Sequence, residues 1–156
     1  MRAKYLIELL TKNNLHISSA ESLTGGLFSK TLTDIPGSSA AVNGCIVSYI
    51  NDVKMNVLGV KKETIEKYTE VSKECAEEMA RGAAKLFKSE IAVSFTGYAG
   101  PGGGTDKNPV GSAYICIFFK GKTKIFANIY NGDRNSVREQ CVNTAIKELI
   151  SLTEQL

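Results

Sequence analysis

The sequence predicts an α/β layered protein with one sheet held between helices. Two observations carry this. Short apolar, β-branched runs such as GCIVSYI (44–50) and IAVSFTG (91–97) alternate with longer stretches of helical periodicity. SAYICIFF (112–119) and TKIFANIY (123–130) flank Lys120-Gly121-Lys122 as a hairpin, so the sheet is mixed and not wholly parallel. No internal repeat or linker divides the 156 residues, which are therefore expected to form one domain over 1–156.

The elements follow in order. Leu6, Ile7, Leu9 and Leu10 recur at helical spacing within residues 2–13, and Asn13-Asn14 ends the segment. HISSAES (16–22) is a short strand running into a turn. A helix is expected from Thr24 to Thr33, with Leu27, Phe28, Thr31 and Leu32 on one face, closed by the loop at Ile35-Pro36-Gly37. Residues 44–50 read as a buried strand. Asn51-Asp52 opens a short helix that reaches Leu58 and stops at Gly59, and residues 61–68 form another. A longer helix runs from Ser72 to about Lys88. Its expected inner face is Cys75, Met79, Ala83 and Leu86, and Ser72 lacks the Glu or Gln of a full capping box. The buried strand 91–97 empties into a glycine-rich loop, the hairpin follows, and Asn131-Gly132-Asp133-Arg134 leads into a last helix over about 133–154.

Composition narrows the function. A hydrophobic fraction of 43% with 22% charged residues belongs to a globular chain with a proper core. The net charge of +3 comes from scattered lysines that form no stripe, which argues against nucleic acid as a partner. No run approaches a membrane span, and the N-terminal apolar stretch is short and broken by Glu8, so neither membrane nor secretion is expected. Cys45, Cys75, Cys116 and Cys141 form no CxxC pair and read as reduced core residues of a cytoplasmic protein. His16 is the only histidine. Its place early in the first strand separates it from Ser22, which disfavours a Ser-His-Asp triad, and a zinc site would find almost no ligands. No metal or cofactor is expected.

In open α/β sheets, ligands bind beyond the carboxyl ends of the strands. Three segments fit that position. After the first strand comes Glu21-Ser22-Leu23-Thr24-Gly25-Gly26. Gly25 and Gly26 let backbone approach a ligand, and free N–H groups at the following helix can hold an oxyanion. The alternative is that Ser22 or Thr24 merely caps that helix. After the second strand come Tyr49 and Lys54. A lysine in the first turn of a helix should lose its proton more readily and so suit a general base, the alternative being an ordinary exposed lysine. After the third strand come Thr96, Gly97, Gly100, Gly102 and Gly103. Five glycines within 97–104 match neither standard phosphate motif, leaving a nucleotide-cradling loop or a plain surface loop. Arg134, after the last strand, borders the same cleft.

AESLTGG, VSYINDVK, TGYAGPGGG, NPVG and GDRNSVREQ stand in the same order as the motifs of the CinA C-terminal domain family, and the resemblance covers about residues 4–152. It implies a three-layer α/β/α fold with a mixed five-stranded sheet. It implies Ser22 as nucleophile, assisted by Tyr49 and Lys54. One departure is Leu23, where many members carry cysteine. With no larger molybdopterin-binding-like domain ahead of it, the chain resembles the standalone nicotinamide-nucleotide amidohydrolases. These convert nicotinamide mononucleotide to nicotinate mononucleotide and ammonia. The implied catalytic set is Ser22, Tyr49 and Lys54. The binding set read from the loops themselves is Thr24, Gly25, Gly26, Thr96, Gly97, Gly100, Gly102, Gly103 and Arg134. A small-molecule substrate and a homo-oligomer, a dimer in the simplest case, complete the expectation. The family also has members linked to competence and DNA damage, so a non-catalytic nucleotide-binding module is the competing expectation.

Overall fold

The computed structural model describes residues 1–156. In chain order the elements are α1 (Arg2–Lys12), β1 (Ile17–Glu21), α2 (Leu27–Thr33), a 3-10 turn (Ser38–Ala40), β2 (Val42–Val47), α3 (Asn51–Asn56), α4 (Lys62–Tyr68), α5 (Lys73–Phe87), β3 (Ile91–Gly97), β4 (Ser112–Phe119), β5 (Lys122–Ile129) and α6 (Arg134–Glu154). The five strands form one sheet in the order β2-β1-β3-β4-β5. β1 pairs in parallel with β2 and β3, whereas β3–β4 and β4–β5 are antiparallel. The mixed sheet between helical layers is the predicted α/β/α arrangement.

Strand alternation sorts the two faces. Ile91, Val93 and Phe95 of β3 join Ile17, Ile115 and Ile117 in a core closed by Leu6 and Leu10 of α1, Phe28 and Leu32 of α2, and Val137, Cys141 and Leu149 of α6. Ala20 and Ala92 face the other way, onto Cys75, Met79, Ala83 and Ala84 of α5 and Leu58 and Val60 after α3. Small residues on both sides of that second interface let α5 lie close. At Gly82 of α5 an added Cβ would stand 1.9 Å from the Leu58 carbonyl oxygen, so nothing larger fits there. Ser72 caps α5 by accepting from the Cys75 N–H at 3.1 Å, and Asp133 caps α6 by accepting from the Ser136 N–H at 2.9 Å.

Four expectations need correction. The strand predicted over 44–50 is β2, which ends at Val47 and lies at the sheet edge; its residues are only partly buried, and Tyr49 and Ile50 beyond it are each 57% exposed. An apolar run alone does not separate a central strand from an edge one. Cys45 on this strand is half-buried, unlike the other three cysteines; all four are free. Leu86 is 48% exposed, and the inner face of α5 is completed by Ala76, Ala80 and Ala84. α2 begins at Leu27, not Thr24, because Gly25 (φ 58°) and Gly26 (φ 103°) turn the chain through left-handed backbone.

Candidate active site

β1 carries Ser22 just past its last residue, at the parallel end of the sheet. The Ser22 N–H donates to the Phe95 carbonyl at 2.9 Å, and the Ser48 N–H donates to the Glu21 carbonyl at 2.9 Å. The serine is thus held by continuations of both neighbouring strands. The preceding residue, Glu21, is fully buried. Its carboxyl oxygens accept from the N–H groups of Phe28 (2.9 Å) and Ser29 (3.0 Å), so it satisfies two otherwise free amides at the start of α2. Ser19 Oγ (3.1 Å) and Cys45 Sγ (3.2 Å) also donate to it. Sequence reasoning quoted this glutamate beside the serine without giving it a role.

From the opposite flank, α3 sends Lys54 into the protein, where the residue is only 1% exposed. Its Nζ lies 3.2 Å from Ser22 Oγ and 3.5 Å from the Tyr49 carbonyl oxygen. Burial pushes the Lys54 ammonium below the ordinary lysine range, opposed by charge interactions with Cys75 and Glu70. Lys54 is the fourth residue of a six-residue helix, and desolvation is the largest cause of its depression, as expected of a lysine drawn into a cleft.

Tyr49 departs from its expected place. Its hydroxyl accepts from Arg134 Nη2 at 2.8 Å and does not bridge Ser22 and Lys54, which meet directly. Arg134 Nη1 donates to the Gly100 carbonyl at 2.8 Å, so this arginine ties Tyr49 to the glycine-rich loop.

A cleft of about 220 Å³ collects these groups. Ser22, Tyr49, Lys54, Thr96, Gly97, Gly100, Gly102 and Arg134 line it, as expected from sequence. Thr24, Gly25, Gly26 and Gly103 do not. The Gly25 N–H is committed to the Ser22 carbonyl at 3.0 Å, and the Thr24 carbonyl accepts from Arg138 Nη2 at 2.9 Å. The amides of Leu23, Thr24 and Gly26 have no acceptor in the chain. Gly103 packs on the Tyr98 ring, where a Cβ would stand 2.9 Å from Cδ1. The loop is pinned at its base by Tyr98 N–H to Ser112 and Gly111 N–H to Tyr98, while the amides of Gly100, Gly102 and Gly103 bond nothing within the chain. Thr96 Oγ1 donates to the Glu70 carbonyl at 2.6 Å, which fixes a turn instead of leaving the hydroxyl for a ligand.

Sequence reasoning missed Glu70 and Tyr98 in the cleft and Arg138 behind the serine turn. Arg138 carried a usable signal, lying one helical turn beyond Arg134 on the same face of α6. Glu70 carried none, because it follows no strand. A second hollow of about 210 Å³, between β5 and the end of α6, contains no comparable nucleophile and buried amine. No group of three His, Cys, Asp or Glu side chains is close enough to hold a metal ion, and no helix is long and apolar enough to cross a membrane.

Fold and site together define a three-layer α/β protein with a serine–lysine cleft at the carboxyl ends of parallel strands. The CinA C-terminal domain family matches residues 2–153, and the chain belongs to that family. A relative from Clostridioides difficile strain 630, whose name describes a competence-damage inducible protein, is 49% identical over 150 residues, covering 96% of this chain and 36% of that protein. A CinA-like protein of Fervidobacterium nodosum is 50% identical over 135 residues, covering 85% of this chain and 33% of that protein. The chain therefore spans about a third of these relatives' length. A CinA superfamily protein from Klebsiella pneumoniae superposes with a TM-score of 0.96 at 29% identity, covering 99% of this chain and 97% of that one. A competence/damage inducible protein from Agrobacterium tumefaciens gives 0.91 at 37% identity, with 97% and 96% covered.

Proposed function

We propose that the chain is an amidohydrolase that releases ammonia from nicotinamide mononucleotide. The observation that carries this reading is the buried Lys54 amine 3.2 Å from the Ser22 hydroxyl oxygen. A neutral amine at that distance can accept the hydroxyl proton, which is what a serine needs to become a nucleophile.

Ser22 Oγ attacks the carboxamide carbon while its proton passes to Lys54. The free amides of Leu23 and Thr24, next in sequence to the nucleophile, are the candidates to hold the resulting oxyanion; of the expected Thr24–Gly26 amides, that of Gly25 is already committed. The C–N bond then breaks, and ammonia leaves with the proton from Lys54. Water attacks the acyl-serine ester and gives a proton to Lys54, and Ser22 recovers its hydrogen as the nicotinate product leaves. Arg134 and the unpaired amides of the glycine-rich loop suit the substrate phosphate.

Ammonia release from nicotinamide mononucleotide by the purified chain tests the reading. A non-catalytic nucleotide-binding domain gives binding and no ammonia. Two further outcomes follow. Exhaustive chelation should leave the rate unchanged; loss restored by a divalent ion would contradict a serine–lysine mechanism. His16 sits at the far end of β1, where its N–H and Nδ1 meet Glu90 Oε2 at 2.7 and 3.2 Å. His16→Ala should cost about 1 kcal/mol of stability in a denaturant titration and leave turnover per folded molecule unchanged.

A further inference from the structure

Glu70 is the one acidic residue lining the cleft. Its carboxylate takes part in no ion pair or hydrogen bond within the chain. Yet its backbone is closely held. Thr69 adopts φ 69° and ψ 171°, a region left almost entirely to glycine. Around that strained residue, Thr69 Oγ1 accepts from the Val71 N–H at 3.3 Å and Ser72 Oγ donates to the Thr69 carbonyl at 2.9 Å. Thr96 Oγ1 fixes the Glu70 carbonyl itself. A turn so heavily restrained fixes where the residue after it stands, and that residue is an unpaired carboxylate lining the same cleft as the nucleophile.

We propose that Glu70 makes the cleft selective for a positively charged ring, its carboxylate facing the quaternary pyridinium of the nucleotide. This rests on the amidohydrolase reading and extends it to the substrate's charge state. The nucleotide is anionic at its phosphate and cationic at its ring. Arg134, at the glycine-rich loop, complements the first, and Glu70 complements the second. The scissile carboxamide is attached to the ring, so seating it at Ser22 and Lys54 puts the ring in the cleft that Glu70 also lines. The 1,4-dihydropyridine form of the same nucleotide keeps the shape, the amide and the phosphate but loses the ring charge.

Binding of the oxidised and dihydro nucleotides to the Ser22→Ala protein, measured by calorimetry, separates the possibilities. The oxidised form should bind about tenfold more tightly, the order expected of one partly solvated charge pair. In Ser22→Ala/Glu70→Gln the two affinities should converge to within about twofold, with Glu70→Ala in the same background as a second check on the ratio. A preference that survives both Glu70 replacements overturns the role of Glu70 and leaves the amidohydrolase reading standing. Equal binding of the two forms before Glu70 is changed does the same. Binding of neither form overturns the amidohydrolase reading, and this inference with it.

Discussion

Ser22→Ala should lower ammonia release from nicotinamide mononucleotide by about 10⁴-fold or more while leaving the fold intact, because removing a nucleophile abolishes the covalent route altogether. The serine is 9% exposed, and its hydroxyl makes one side-chain contact, with Lys54. Alanine removes that contact without opening a large cavity, so the melting temperature should change by a few degrees at most. The variant is to be assayed at matched folded concentration, checked by circular dichroism. Residual activity above a few per cent would mean that another oxygen attacks. The hydroxyls of Thr96 and Ser48 are poorly placed to do so. Thr96 Oγ1 is committed to the Glu70 carbonyl, and Ser48 is fully buried and does not line the cleft.

The central parts of the site were legible because they obey a topological rule. Ligands gather beyond the carboxyl ends of parallel strands, so residues directly after β1, β2 and β3 could be nominated from strand order alone. Ser22, Lys54 and the Thr96–Gly102 segment do meet there. What sequence could not supply was the division of labour among neighbours. Gly25 and Gly103 were nominated as ligand contacts, yet one closes the turn under the nucleophile and the other makes room for the Tyr98 ring. Tyr49 was expected to assist the serine together with the lysine, but an exposed ring beyond an edge strand finds Arg134 instead. Glu70 was invisible because its position depends on a turn whose geometry comes from tertiary hydrogen bonds, above all that of Thr96. Edge and central strands were likewise indistinguishable in β2, since a run such as GCIVSYI can be apolar for either reason.

Lys54 provides the sharper test, since one residue should govern activity, pH dependence and stability together. If it accepts the Ser22 proton, Lys54→Arg should be nearly inactive, down by about 10³-fold or more, because a guanidinium stays protonated at any working pH. Lys54→Met should lose activity to the same extent by removing the base. A lysine that only attracted the substrate's phosphate would give another pattern, with the arginine variant active and the methionine variant altered mainly in KM. The profile of kcat/KM should show an acidic limb, falling as pH drops through the depressed Lys54 value, and that limb should be missing from any residual rate of either variant. Stability should rise with pH as well. With the folded value below the unfolded one, the unfolded chain binds more protons between the two. Wild-type stability therefore rises with pH across that window. Below it the burial penalty is fully present, and above about 10.4, the ordinary lysine value, it is gone. Lys54→Met should accordingly be the more stable protein at neutral pH, by about 1 kcal/mol, and the gain should fade toward pH ~10.4. Urea titrations of both proteins at several pH values measure this directly. An active Lys54→Arg protein, or a methionine variant whose stability gain is independent of pH, would take the base role away from Lys54.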